Sequence, residues 1–187
     1  MSVKLIRPRR FGDDRGWFTE TYNEARYAEL GIGVTFVQDN HSYSRDAGVL
    51  RGLHWQAPPY GQDKLLRCTR GRIWDVAVDA RRGSPTFGQW VAAELTAENG
   101  HQLFIPIGFA HGFVTLEPDC EVQYKCSGLY AQQAEGGVIW NDPNIALPWP
   151  LDGREPILSD KDKLLPLLDE ATTPFVYDGQ PLEPIDA

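Results

Sequence analysis

Along most of this chain apolar and polar residues alternate, and only two short stretches carry the wider spacing of a helix. Alternating runs of roughly four to eight residues, closed by Gly, Pro and Asp turns, predict an antiparallel sandwich or barrel. Strands are expected over 17–22, 34–38, 49–56, 64–69, 71–80, 87–95, 102–105, 109–113 and 120–126. Asn23 is placed to cap a short helix over 24–30 that Gly31 ends, and a second is expected over 161–169. From Trp140 onward the chain reads as loop, and the proline-rich, acidic tail over 172–187 as a segment lying over the surface. With no internal repeat or linker, the 187 residues read as one all-β domain with a few short helices.

Several polar residues interrupt the apolar faces of these runs. In Val49-Leu50-Arg51-Gly52-Leu53-His54-Trp55-Gln56, strict alternation puts Leu50, Gly52, His54 and Gln56 on one face and Arg51, Leu53 and Trp55 on the other. Gly52 then leaves room for a ligand beside the imidazole. Histidine titrates near ~6.5 and suits general-base chemistry; a hydrogen-bonded core histidine with Arg51 in a salt bridge fits the stretch equally well. Lys64 shares a face with Leu66 and Cys68, where it either snorkels to an edge or meets an anion or a developing oxyanion. Asp75 sits mid-strand, a position that disfavours a carboxylate unless it is paired. His111 lies between Phe109 and Phe113 on one face, and Tyr124 between Val122 and Cys126. Either can be a satisfied core residue or a functional one.

The net charge of -8 argues against broad binding to nucleic acid or to an anionic membrane, so cations for any anionic ligand must be local. No apolar run in Met1 to Asp14 suits a signal peptide, and no run is long enough to span a bilayer; the expected compartment is the cytoplasm. Cys68, Cys120 and Cys126 are odd in number and lack paired zinc spacing, so they read as free thiols in strands. The four histidines, at 41, 54, 101 and 111, form no His-x-His pair, which speaks against a metal site. A Gly-rich turn between strand and helix, a P-loop and a nucleophile elbow are all missing from the sequence. What remains is His, Asp, Tyr and Lys, a set suited to moving protons.

Six blocks, taken in order, carry a resemblance: Phe11-Gly12-Asp13-Asp14-Arg15-Gly16, Gln38-Asp39-Asn40-His41, Arg51-Gly52-Leu53-His54, Ile105 to Phe113, Trp140-Asn141-Asp142 and Leu158-Ser159-Asp160-Lys161-Asp162. Together they resemble the dTDP-4-dehydrorhamnose 3,5-epimerase family over about Arg9 to Asp169. The resemblance implies a cupin-type jelly roll and a homodimer with its N-terminal strands at the interface. It also implies action on a dTDP-linked 4-keto-6-deoxy sugar without metal or organic cofactor. By the same likeness His54 matches the catalytic base, Asp162 its carboxylate partner, Tyr124 the acid on the opposite face of the sugar, and Lys64 a group near the keto oxygen. His111 and Asp75 match supporting residues. Arg51, Gln38, Asn40 and Tyr130 match positions that bind the nucleotide, and Arg15 and Glu20 match residues that enter the neighbouring subunit's site. The loop over 42–48 is a residue longer than in the form compared, and the tail after Thr172 is also longer.

A proton beside a ketone becomes acidic when the resulting charge can move onto the ketone oxygen, so the chemistry needs a base at carbon, a cation or donor at oxygen and, for inversion, an acid on the other face. Competing expectations are an epimerase acting at C3 or C5 alone, a sugar-binding jelly roll without catalysis, and a metal-dependent cupin oxygenase.

Overall fold

Alternation along the chain resolves into two five-stranded antiparallel sheets and a separate two-stranded hairpin. The computed structural model describes residues 1–185, with strands β1 (Lys4–Ile6), β2 (Arg10–Asp13), β3 (Gly16–Thr19), β4 (Gln38–Ser44), β5 (Leu50–Gln56), β6 (Lys64–Arg70), β7 (Arg72–Asp79), β8 (Trp90–Thr96), β9 (Gln102–Ile105), β10 (Phe109–Thr115), β11 (Cys120–Cys126) and β12 (Glu135–Gly137). The only α-helix among these residues is α1 (Glu24–Glu29). One sheet runs β1-β9-β6-β11-β4 and the other β12-β5-β10-β7-β8, the two layers of a cupin-like jelly roll. The hairpin β2-β3 stands as a sheet of its own.

The inner faces of both sheets meet in a core that includes Leu66, Cys68, Ile73, Ala77, Leu103, Ile105, Phe109, Phe113 and Val122. The outer face of the second sheet is apolar too, because later segments cover it. Leu53, Trp55, Val76, Val78 and Ala110 pack under Val138, Ile145, Leu168 and Phe175. The tail thus lies across that face with Thr173 and Phe175 buried, and the Phe175 ring meets Trp55 edge-on at 6.0 Å. Positions 186–187 of the tail reading lie outside the described residues.

Asn23 caps α1 as expected, its side chain accepting from the Arg26 amide. Two expected elements change. The strand expected over 34–38 begins only at Gln38 and runs on to Ser44. Val34 and Phe36 instead pack beside Tyr27, Ile32 and Phe104 in a satellite cluster, and Val37 is exposed. The polar run 38–44 makes a strand because its inward residues line a cavity. The helix expected over 161–169 is a single 3₁₀ turn, Asp162–Leu164. Pro166 lacks an amide hydrogen and pushes the residue before it out of the helical region; Leu165 is accordingly extended. Three further strands, β1, β2 and β12, are too short to show an alternating pattern and lie outside the expected runs.

Candidate active site

Strand β5 departs from strict alternation. Opposite β10 it places His54 at His111 and Arg51 at Phe113, so three residue steps on β5 match two on β10. The extra residue is Gly52. Its φ is +118°, and a Cβ there would stand 2.5 Å from the His111 carbonyl oxygen and 2.7 Å from the Gly112 Cα. The missing side chain therefore admits the backbone of β10, not a ligand, which corrects the expectation of ligand room beside the imidazole. The same irregularity puts Arg51 and His54 on one face. Leu50, Leu53 and Trp55 point to the outer clusters.

Arg51 and His54 line a cavity of about 430 Å³ together with Ser42, Lys64, His111, Phe113, Tyr124, Lys161 and Asp162. A second lobe of about 340 Å³ shares His54, Lys64 and Tyr124 and adds Gln38, Asn40, Tyr130 and Glu135. Imidazole and phenol therefore border one space, from opposite sheets.

The Nε2 of His54 lies 2.6 Å from the Asp162 Oδ1. Asp162 is buried, yet burial is outweighed by the His54 and Ser159 hydrogen bonds, and its carboxyl is held below the usual carboxylate range. An ionised carboxylate accepting at Nε2 keeps that hydrogen in place and leaves the lone pair on Nδ1. The 3₁₀ turn that replaces the expected helix delivers Asp162 to this position, with its amide donating to Ser159 Oγ at 3.1 Å.

Behind the cavity, His111 Nε2 lies 2.7 Å from Asp75 Oδ1, the pairing that a mid-strand carboxylate requires. Burial lowers the His111 pKa and raises that of Asp75, against the attraction between the two. The second Asp75 oxygen is buried without a hydrogen-bond partner among the described residues. Lys64 is half-buried, and that enclosure lowers its ammonium pKa, with Asp75 opposing the shift. No hydrogen bond or ion pair engages the Lys64 ammonium or the Tyr124 hydroxyl among the described residues. Burial also raises the Tyr124 phenol, so it keeps its proton at neutral pH. The cavity thus presents an imidazole held by a carboxylate, a free ammonium and a protonated phenol.

The proposed nucleotide-binding residues form a chain of amides along β4. The Gln38 Nε2 donates to Asn40 Oδ1 at 3.0 Å, its Oε1 accepts from the Tyr130 amide at 3.0 Å, and the Asn40 Nδ2 donates to Cys126 Sγ at 3.5 Å. Arg51 donates to the Tyr43 carbonyl at 3.2 Å and to Ser44 Oγ. The Tyr130 ring is exposed. Arg15 and Glu20 stand outside this cavity: Arg15 is paired with Asp13 at 2.6 Å on the hairpin and Glu20 with Arg26 at 3.1 Å.

Reasoning from sequence did not single out Ser42, Ser159, Glu135 or Lys161. Glu135 and Lys161 pair across the two lobes. The Ser159-Asp160-Lys161-Asp162 run in a loop was the available signal for two of them; Ser42 and Glu135 carry none. The three cysteines are free and buried in strands, as read.

The family model described as dTDP-4-dehydrorhamnose 3,5-epimerase matches residues 1–170. A dTDP-4-dehydrorhamnose 3,5-epimerase of Salmonella typhimurium is 53% identical over 170 residues, 90% of this chain and 92% of that one. The crystal structure of the Bacillus anthracis enzyme with TDP and PPi bound superposes with a TM-score of 0.86 at 53% identity, covering 88% of this chain and 93% of that chain. That of a Legionella pneumophila dTDP-6-deoxy-D-glucose-3,5-epimerase in complex with dTDP-4-keto-L-rhamnose gives 0.86 at 47% identity, covering 90% and 88%. With the sequence, the fold and the site all leading to the same group, this chain belongs to the dTDP-4-dehydrorhamnose 3,5-epimerase family.

Proposed function

We propose that the cavity inverts C3 and C5 of dTDP-4-keto-6-deoxy-D-glucose to give dTDP-4-dehydro-L-rhamnose. The observation that carries this reading is the pairing of a carboxylate-held imidazole, His54 on Asp162, with the protonated Tyr124 phenol across one cavity. His54 takes the proton from the carbon beside the ketone. The electron pair of that C–H bond moves onto the ketone oxygen as an enolate, and the Lys64 ammonium stabilises the charge where it develops. Asp162 stabilises the imidazolium so formed. Tyr124 then delivers its proton to the opposite face of the same carbon and is recharged from solvent. His111 and Asp75 back Lys64 with a buried polar pair. No step calls for a metal or an organic cofactor.

Arg51, Gln38, Asn40 and Tyr130 hold the dTDP moiety, Arg51 supplying local charge for the diphosphate of an otherwise acidic protein. Arg15 and Glu20 reach the cavity of a second copy in a homodimer. What supports this is the hairpin that carries Arg15: it projects as its own sheet, with Phe11, Trp17 and Phe18 exposed. A single domain working in the cytoplasm, without nucleic-acid or membrane partners, completes the reading. No helix among the described residues is long and apolar enough to cross a membrane.

The deciding experiment is proton NMR of the product formed in heavy water from dTDP-4-keto-6-deoxyglucose. Exchange and inversion at both C3 and C5 are expected. Inversion at one carbon alone would make the protein a single-position epimerase, and no exchange at either would leave only a sugar-binding role.

A further inference from the structure

Arg10 ties the hairpin β2-β3 to the jelly roll through surroundings built for it. The guanidinium of Arg10, on β2, donates from Nη2 to the Ala97 carbonyl at 2.7 Å and from Nη1 to the Glu98 carbonyl. It also lies 4.1 Å over the Trp17 ring of β3. Arg10 pairs with Thr19 and Gly12 with Trp17 across the hairpin, so Arg10 and Trp17 are diagonal neighbours on one face. The group therefore grips both strands of the arm and the β8-β9 turn at once.

That turn is rigid. The Asn99 side chain accepts from the Thr96 and His101 amides and donates to the Glu94 carbonyl, while the Thr96 hydroxyl accepts from the Asn99 amide at 2.7 Å. These bonds fix the 97 and 98 carbonyls so that they face Arg10. Gly100, at φ +62°, completes the seat: a Cβ there would fall 2.7 Å from the Arg10 Nη2. Planar, two-pronged donation with ring stacking is what arginine does and lysine does not.

We propose that Arg10 is a positioning residue for the epimerase reaction, a strut that sets the angle of the arm so that Arg15 and Glu20 enter the second copy's cavity. The inference rests on the cross-subunit reading given above. Arg10 touches no substrate; it acts through the arm. Loss of the strut lets the arm swing, and a misplacement of about 1 Å in a positioning group costs on the order of 10²-fold in rate.

Heterodimers separate this role from a general effect on folding. A dimer of one His54→Ala chain and one Arg15→Ala chain holds one site with both groups intact, His54 from the second chain and Arg15 from the first, so activity returns although each parent homodimer is impaired. Arg10→Ala is then added to one chain at a time. On the His54→Ala chain, which supplies the working arm, it is expected to lower the recovered kcat/KM on the order of 10²-fold, mainly by raising KM; Arg10→Lys in that place should not rescue it. On the Arg15→Ala chain, whose arm serves the dead site, the recovered activity should persist. Equal loss from either chain, or no loss from either, overturns the strut. Should the Arg10 variant fail to assemble, Gly100→Ala on the same chains makes the same comparison by crowding the guanidinium. A parent heterodimer with intact Arg10 that shows no recovery sinks the cross-subunit reading, and this inference with it.

Discussion

Arg51 and His54 stand three residues apart on one strand and face the same cavity, a relationship that regular alternation forbids. The register shift against β10 produces it, and Gly52 permits it. A guanidinium and an imidazole can in this way be brought side by side without exposing Leu53 or Trp55, which keep their places in the outer cluster.

Gly52→Ala is therefore expected to damage fold and site together. The added methyl meets backbone atoms of His111 and Gly112, which cannot rotate aside as a side chain would, and the positive φ adds its own cost. A loss of about 2–4 kcal/mol in urea unfolding is expected, with epimerisation reduced in whatever folds. Wild-type stability would mean that β10 moves away freely and that the close approach is not required.

Replacing the base and the acid should have separable effects. His54→Ala removes proton abstraction itself, so both inversion and solvent-deuterium wash-in are expected to fall by roughly 10²–10⁴-fold in a folded protein. Tyr124→Phe should lose inversion on that scale while deuterium still enters the sugar, because His54 continues to remove and return the proton on one face. If wash-in disappears from Tyr124→Phe with binding intact, the acid has been misassigned.

The strands were legible wherever a single period governed them, as in β6, β7, β10 and β11, and the single α-helix was legible through its Asn23 cap. Lys64 and Asp75 announced themselves as charges on buried runs. The side-by-side placement of Arg51 and His54 was not legible, because a register shift depends on the partner strand and leaves only a glycine in the local sequence. β4 was misplaced for a related reason: its inward residues Gln38, Asn40 and Ser42 are polar because they line a cavity, and Ser44 is buried where it accepts from Arg51, so the hydrophobic signal of a strand is absent from them. The roles of Asp162 and Tyr130, remote in sequence from His54, came from family likeness and not from any local pattern. The seat for Arg10 joins residues almost ninety positions apart and had no sequence signature.

Asp162→Asn offers a test through stability as well as rate. The folded Asp162 pKa lies below its ordinary value, burial being overcome by His54 and Ser159. A depressed carboxylate stabilises the fold above the unfolded pKa, and that contribution is lost as the pH falls through the folded value. The variant should thus show a weaker dependence of stability on pH in the acid range, and at neutral pH a lower kcat, since an amide cannot offset the imidazolium charge. An unaltered acid limb in pH-dependent urea unfolding would show that the His54 contact does not hold the carboxyl down.

The alkaline limb of the rate profile should belong to Lys64 and not to Tyr124. Both groups must carry their protons to work, one to meet the enolate oxygen and the other to donate to carbon. Burial moves them in opposite directions: it lowers the Lys64 ammonium, for which the protonated form is charged, and raises the Tyr124 phenol, for which the protonated form is neutral. As the pH rises Lys64 therefore loses its proton first, and kcat/KM is expected to decline with an apparent pKa below the ordinary lysine value. Lys64→Arg keeps a positive charge at every accessible pH and should move that limb upward, until Tyr124 becomes limiting, even though the altered geometry lowers the plateau. Measured from pH 6 to about 11, an alkaline limb that stays where it was in Lys64→Arg, and shifts instead in Tyr124→Phe, would reverse the order of the two groups and place the ammonium outside the rate-determining chemistry.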